Sequence, residues 1–193
     1  MMPDLRRCFT RIGTPLAAMA LMFGFNGCAF FQSRGPGKQM LETNARNALQ
    51  TLVSQNPSAA YVSRQAVAVL VFPSVVKGGF IYGAAAGNGV LFRHGIPAGV
   101  YNTTALSYGL QAGLQDYGYA LFFMNEKALN YLQRSEGFEI GAGPSVVVAD
   151  KGFAKSYTST TLTQDVYAFV FNQTGLMAGL GLTGSKITQI AAP

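Results

Sequence analysis

Two cysteines and one histidine are the side chains of this 193-residue chain that are best suited to covalent or acid–base chemistry. His94 stands in the predicted turn Arg93-His94-Gly95 with no neighbouring cysteine or carboxylate, although a hydrolytic triad would need it as the base. H-E-x-x-H, C-x-x-C and G-x-S-x-G do not occur, and the G-x-G-x-x-G at 179–184 leaves no room for the helix and strand of a dinucleotide-binding unit. The sequence therefore predicts no catalytic residues, no metal site and no cofactor.

Cys28 ends a segment that is typical of an export signal. A basic region with three arginines precedes the apolar stretch Ile12 to Phe25, and small residues follow it. That stretch is shorter than the ~20 residues that a membrane-spanning helix needs. Phe25-Asn26-Gly27-Cys28 resembles a bacterial lipobox, in which the cysteine thiol is acylated and becomes the mature N-terminus. We expect residues 1–27 to be a lipoprotein signal peptide; ordinary cleavage nearby, which leaves an unmodified thiol, is the alternative.

The residues after Cys28 bear on localisation. Ala29, in place of aspartate, resembles the outer-membrane sorting signal of Gram-negative bacteria. Residues 28–37 have the composition of a flexible tether, and about ten residues span at most ~35 Å. We therefore expect an exported domain that is lipid-anchored close to the bacterial membrane, at the outer membrane and facing the periplasm or the cell surface. Because the other cysteine, Cys8, leaves with the signal, the mature chain has no thiol for a disulfide.

The chain has few charged residues, and its net charge is positive. Charged residues make up 11% of the chain and hydrophobic residues 49%, against about 25% charged in a typical soluble domain. An exported chain without a basic run is not expected to bind nucleic acid. A positive charge favours anionic phospholipid surfaces, where each Lys or Arg contributes about 1 kcal/mol. The cations expected to contact lipid headgroups, because they fall in predicted turns or at strand ends, are Lys77, Arg93, Lys151 and Lys155.

The stretch Ala66 to Gly95 is the part of the chain around which we expect the fold to be organised. Its valine-rich beginning, Ala66 to Phe72, predicts a strand that is buried on both faces. Pro73-Ser74 is expected to end that strand, because proline cannot donate to a sheet ladder. The flexible Gly87-Asn88-Gly89 predicts a hairpin turn. The two short strands around it are predicted at Phe80 to Ala84 and Val90 to Arg93.

Helices are predicted where apolar residues recur at a spacing near 3.6. Met40 to Val53 shows that spacing and ends before Asn56-Pro57. A short helix from Ser58 to Arg64 should follow, with Ser58 as its N-cap, and Asn125 should cap a helix from Glu126 to Arg134. The first helix carries too few cations for a strong membrane-surface helix, so packing on a sheet is favoured over lying on lipid.

Further strands are predicted along the rest of the chain, and repeated Gly-x-Gly spacing suggests that they bend strongly. The predicted fold class is α+β: a strongly curved antiparallel β-sheet or small β-barrel, packed by an N-terminal helical segment and one inserted helix. Strands with apolar residues on both faces disfavour a transmembrane barrel. A single domain is expected over residues 38–193. The later strands are predicted at Gly99 to Gly113, Asp116 to Met124, Phe138 to Ala149, Val166 to Asn172, Met177 to Leu182 and Ile187 to Ile190.

Two blocks of sequence, VFPSVVKGGF from Val71 and YGAAAGNGVL from Tyr82, resemble the opening signature of the SYLF domain. Later blocks, such as LFFMNEKALNYL from Leu121, follow in the order of that family, so that the resemblance spans roughly residues 58 to 190. SYLF domains are lipid-binding modules of bacterial lipoproteins and eukaryotic membrane-remodelling proteins. The resemblance implies binding of phosphoinositides in eukaryotic relatives, helped by an N-terminal basic segment that this chain lacks.

The resulting functional hypothesis is a lipid-anchored cell-envelope protein, not an enzyme, that binds phospholipid headgroups. Its expected partners are membrane phospholipids with anionic or phosphoinositide-like headgroups. One alternative is a structural or protein-binding envelope lipoprotein in which lipid serves only as the anchor. The other alternative is a small barrel that encloses an apolar ligand or performs hydrolysis with His94.

Overall fold

The computed structural model of the chain describes residues 37–79, 82–108, 113–134, 137–140, 143–149, 162–175 and 184–192. The chain divides into two units, Met1–Arg34 and Gly35–Pro193, and every described residue belongs to the second unit. The predicted signal peptide and tether lie almost wholly outside the described residues, so the predicted domain boundaries stay predictions. The elements within the described residues are α1 (Lys38–Gln55), α2 (Pro57–Ser63), β1 (Ala68–Gly79), β2 (Tyr82–Arg93), β3 (Ile96–Tyr108), β4 (Gly113–Phe123), α3 (Glu126–Arg134), β5 (Phe138–Glu139), β6 (Val146–Val148), β7 (Val166–Gly175) and β8 (Lys186–Ala191).

The described strands form one sheet with the order β5-β8-β3-β2-β1-β4-β7-β6. Neighbouring strands are antiparallel except for β6 and β7, which are parallel. A hydrogen bond between two distant strands shows that the sheet is strongly curled. The Tyr119 hydroxyl on β4 donates a hydrogen bond of 2.7 Å to Thr103 Oγ1 on β3. In a flat sheet these strands would lie about 14 Å apart, since β1 and β2 separate them. The predicted α+β fold with a strongly curved sheet is confirmed.

The predicted hairpin turn at Gly87-Asn88-Gly89 is wrong, because these residues lie inside the continuous strand β2. A Cβ on Gly89 would lie 2.6 Å from the Phe72 ring and 2.6 Å from the Val71 carbonyl oxygen. The glycine therefore lets an aromatic ring of β1 pack directly on the backbone of β2. The pattern of flexible residues reflects this close packing rather than a change of chain direction.

The prediction that Pro73-Ser74 ends the first strand is wrong, because β1 continues through these residues to Gly79. The pairing of β1 with both neighbours shifts at this point, between Val71 and Ser74 on the β2 side and between Phe72 and Val75 on the β4 side. A bulge tolerates proline because the bulged residue is not required to donate to the ladder. The predicted single strand from Phe138 to Ala149 is likewise wrong, since β5 and β6 are separate short strands.

The N-terminal helices cover the convex face of the sheet. Leu41, Ala45 and Leu52 of α1 are buried in one cluster with Val71 and Val90 of the sheet. This contact agrees with the interpretation of α1 as a helix packed on a sheet. α2 begins one residue earlier than predicted: its N-cap is Asn56, whose Oδ1 accepts hydrogen bonds from the backbone N–H groups of residues 58 and 59, at 3.0 and 3.2 Å.

The concave face holds a second core that is rich in aromatic rings. Phe72 stacks on Tyr119 with ring centroids 4.7 Å apart. α3 contributes Ala128, Leu129 and Leu132 to the same cluster, as its predicted apolar face requires. Asn125 caps α3 as predicted, because its Oδ1 accepts a hydrogen bond from the backbone N–H of residue 128 at 2.8 Å. The sheet is therefore buried on both faces over its middle rows.

The burial of Tyr119 makes the stability of the fold depend on alkaline pH. Burial raises the pKa of Tyr119 far above its ordinary value, which is about 10. Above about pH 10 an unfolded tyrosine loses its proton while the folded one keeps it, so stability falls by up to about 1.4 kcal/mol per pH unit. We expect Tyr119→Phe to lower the free energy of unfolding at pH 8 by about 1–2 kcal/mol. Urea unfolding at pH 8 and pH 11 should also show a smaller alkaline loss for the variant; equal losses would contradict this role.

Candidate functional site

The end of the sheet that lies beyond α1 exposes large apolar side chains. Residues alternate between the two faces of a strand. These exposed side chains therefore lie on the convex face, the same face as Val71 and Val90, which α1 covers. No helix among the described residues is packed over this part of β1 to β4. We call the four residues the apolar end; they and their exposed fractions are Val76 (53%), Tyr82 (75%), Leu106 (86%) and Leu114 (72%).

Strand register brings the apolar end together as one surface. Gly78 of β1 pairs with Ala84 on one side and with Leu114 on the other, and Ala84 pairs with Leu106. These residues form one row across four strands, about 14 Å wide. The Leu114 Cδ2 atom lies only 2.8 Å from the position that a Cβ on Gly78 would take, so this leucine lies across β1. Val76 belongs to the next row, between Ala86 and the exposed Asp116. The apolar surface therefore extends to Val76 and ends at that carboxylate.

The same strands are almost free of charge. The sequence has no charged residue between Lys77 and Arg93, and none between Arg93 and Asp116 when His94 is neutral. A strand with one face in water usually alternates apolar residues on its buried face with polar residues on its solvated face. A contiguous apolar patch instead marks a surface that contacts another molecule or a membrane. The segments 80–81 and 109–112, which join these strands, lie outside the described residues.

Two lysines lie in strands near the apolar end. Lys77, one of the predicted headgroup cations, is half-buried near the end of β1 and pairs with Ala85 and Gln115. Lys186, which the sequence analysis missed, is exposed at the start of β8 and pairs with Thr104, two residues before Leu106. Its position directly before the predicted last strand was the only available signal. Val76 and Gly78, the neighbours of Lys77 along β1, belong to the convex rows, so the alternation of the strand places the Lys77 side chain on the concave face with Ala85. The structure therefore places Lys186, but not Lys77, on the face of the apolar end.

The other predicted cations lie elsewhere. Arg93 is at the opposite end of β2, about 26 Å along the strand from the residue that pairs with Lys77. Its Nη2 atom lies 2.6 Å from Glu126 Oε1 in an ion pair with both side chains about half exposed. Lys151 and Lys155 lie outside the described residues. The structure therefore does not bring Arg93 and Lys77 together, and the roles of all four cations stay predictions.

Other kinds of site receive little support. His94 is exposed in the turn between β2 and β3 with a φ of 52°. Across the described ranges, no group of three His, Cys, Asp or Glu side chains could hold a metal ion. Within those ranges, no helix has both the length and the apolar composition that a membrane crossing requires.

The second half of the chain resembles a known family. A sequence model described as "Ysc84: Las17-binding protein actin regulator" matches residues 104–191. The resemblance to the SYLF family is confirmed. The matched range runs from within β3 to the last residue of β8, so it contains Leu106, Leu114 and Lys186. The SYLF family is associated with lipid binding and is not known as a family of enzymes. No curated protein matches the chain.

Proposed function

We propose that this SYLF protein is a lipid-anchored protein of the bacterial cell envelope that binds phospholipid and catalyses no reaction. The apolar end contacts the bilayer, and Lys186 on the same face contacts the headgroups beside it. The observation that carries the proposal is the exposed apolar surface across β1 to β4, which has one carboxylate, Asp116, beside Val76 among the described residues. The association of the family with lipid binding supports it.

The energetics favour a mixed contact. Burying a Leu-sized side chain contributes about 1.5–3 kcal/mol, and the apolar end has four large side chains. A cation near an anionic surface contributes about 1 kcal/mol and is screened by salt. The apolar side chains therefore supply most of the binding free energy. Lys186 supplies a smaller part that depends on anionic lipid, and this part gives the preference for charged headgroups.

The anchor in this proposal is Cys28. Acyl chains on its thiol contribute about 0.8 kcal/mol for each buried CH₂ group, so several chains hold the protein almost permanently. A tether of about ten residues keeps the domain within ~35 Å of the attachment point. Ala29 supports an outer-membrane location. Anchoring keeps the local lipid concentration high, so the apolar end itself needs only a modest affinity.

A protein partner is the second candidate for the apolar end. Exposed apolar patches also mark protein interfaces, and the family description names a protein that binds Las17 and regulates actin. In this alternative the lipid on Cys28 is only an anchor. The two candidates differ in one measurable property, which is the affinity of the unacylated domain for pure lipid vesicles.

The test measures co-sedimentation of unacylated residues 29–193, which contain every described element, with vesicles. We expect binding to vesicles that contain phosphatidylglycerol, partial release when NaCl rises from about 50 to 500 mM, and weaker binding to neutral vesicles. A second arm follows the full chain in bacterial membranes, where Cys28→Ser should convert a wash-resistant protein into a releasable one. No vesicle binding, or equal binding to neutral vesicles, contradicts headgroup recognition; a wash-resistant Cys28→Ser protein contradicts the anchor.

A further inference from the structure

A cleft of about 900 Å³ lies beside α3. α3 starts just after β4 ends at Phe123, and Phe123 is about 30 Å along β4 from Leu114 of the apolar end. The cleft is bounded by the exposed side of α3, by residues 143–144 and by Asp165 before β7. It is therefore separate from the surface that the proposed function uses.

The wall of the cleft at Asp165 is held rigidly. Asp165 Oδ1 accepts a hydrogen bond of 2.8 Å from Asn125 Nδ2, and Oδ2 accepts bonds of 3.1 and 3.2 Å from the N–H and the hydroxyl of Ser145. These donors, led by Asn125, lower the pKa of the Asp165 carboxyl. These donors are neutral, and the charge of Lys127 in the same cleft lowers the pKa of Asp165 further. Asp165 thus ties the start of α3, residue 145 and β7 together.

Tyr131 forms an aromatic wall of the same cleft. Its ring packs edge-on against Phe138, with centroids 5.8 Å apart and an interplanar angle of 76°. Three atoms of the tyrosine lie within 3.0 Å of the position that a Cβ on Gly143 would take, so the ring rests on the backbone there. Gly143 also has a φ of 116°, which favours glycine. The ring is fixed from two sides and remains partly exposed.

Two cations line the cleft from α3. Lys127 and Arg134 are seven positions apart, which places them on one side of the helix and about 10 Å apart along its axis. The opposite side of α3 is buried in the concave core, so the helix cannot roll to move them. The ion pair found within the described residues is Arg93–Glu126. Neither Lys127 nor Arg134 forms a direct ion pair with a described carboxylate, although the charge of Lys127 acts on Asp165 in the same cleft.

We propose that this cleft binds an extended acidic segment of a second protein. Two carboxylates of the segment meet Lys127 and Arg134, and an apolar side chain between them lies against Tyr131. An extended chain advances about 3.3 Å per residue, so carboxylates three positions apart match the spacing of about 10 Å between the cations. The charge complementarity and the rigid aromatic wall favour a peptide. Because the cleft is distant from the apolar end, it remains accessible while that end contacts a bilayer. Binding of the acidic segment in the cleft does not require that contact.

The test uses the full acylated chain in a neutral detergent at about 50 mM salt. The probe is a fluorescent octapeptide with two glutamates three positions apart and a phenylalanine between them; binding is followed by fluorescence anisotropy. Arg134→Glu and Lys127→Glu should each weaken binding about fivefold or more, since each turns an attraction into a repulsion. Arg134→Lys should retain most of the affinity. Arg64→Glu, which changes an exposed cation after α2 and outside the cleft, should leave it unchanged.

The remaining outcomes separate a specific peptide site from simpler explanations. A probe with glutamine in place of glutamate should bind much more weakly, and unchanged thermal unfolding of the variants should exclude loss of fold. No binding up to about 1 mM probe, equal binding of the glutamine probe, or an unaffected Arg134→Glu protein would overturn the proposal. A simple C6 dicarboxylate that binds as tightly as the peptide would also overturn it and indicate a small-molecule site.

Discussion

Replacing Leu106 and Leu114 together by aspartate should weaken binding of the unacylated domain to anionic vesicles by about a hundredfold or more. Each leucine that no longer enters the bilayer removes about 1.5–3 kcal/mol, and every 1.4 kcal/mol is a tenfold change in affinity. The new carboxylates add repulsion from anionic headgroups. Because both side chains are largely exposed, the substitutions should change the free energy of unfolding little. Vesicle titration and thermal unfolding, measured on the same preparations, check both statements.

Ile96 provides the matched control. It is also a large exposed apolar residue, at 69%, but it begins β3 at the end of the sheet opposite to Leu106. Ile96→Asp should alter vesicle affinity less than about twofold. If the Leu106/Leu114 double variant retains its affinity while it remains folded, the membrane contact lies elsewhere. The apolar end would then be assigned to a protein partner.

Replacing Gly89 by alanine should lower the free energy of unfolding by about 3 kcal/mol, mainly through overpacking. The new methyl group would meet both the Phe72 ring and the Val71 carbonyl oxygen at 2.6 Å. The carbonyl belongs to the backbone of the neighbouring strand, so it cannot rotate away. Displacing Phe72 also disturbs its stacking on Tyr119, and aromatic pairs contribute about 0.5–1.5 kcal/mol beyond burial. Urea unfolding monitored by circular dichroism measures the change.

Gly37→Ala is the control for this substitution. Gly37 lies at the N-cap of α1, and nothing lies within 4 Å of the position that its Cβ would take. Alanine is a poorer N-cap than glycine, but it also restricts the unfolded chain, so the two effects should nearly cancel and leave a change below about 1 kcal/mol. Similar destabilisation by the two substitutions would show that Gly89 is not the point of close contact between β1 and β2.

Local signals in the sequence predicted the helices well. α3 has its cap, its apolar face and its charged ends within ten consecutive residues, so neighbours in the sequence decide its structure. The same is true of α1, where a spacing near 3.6 indicates the side that packs on the sheet. The curved α+β fold followed from apolar strands, punctuating glycines and the family resemblance, and the structure confirms it.

Contacts between distant residues decided the rest. Gly87 and Gly89 look like a turn, but Val75 and Phe72 of the preceding strand occupy the space above them. Lys77 and Arg93 look equivalent as isolated cations. Only the folded chain brings Glu126 to Arg93 and places Lys77 on the concave face beside Ala85.

Composition alone showed that the stretch from Lys77 to Asp116 is largely apolar and nearly uncharged. The lipobox-like segment indicated attachment to a membrane. Composition could not show which residues of this stretch have exposed side chains. That depends on the register of four strands and on where α1 stops covering them, and both are set by packing between residues far apart in the chain. Sequence thus determined the chemistry of the surface, and tertiary structure decided its position and extent.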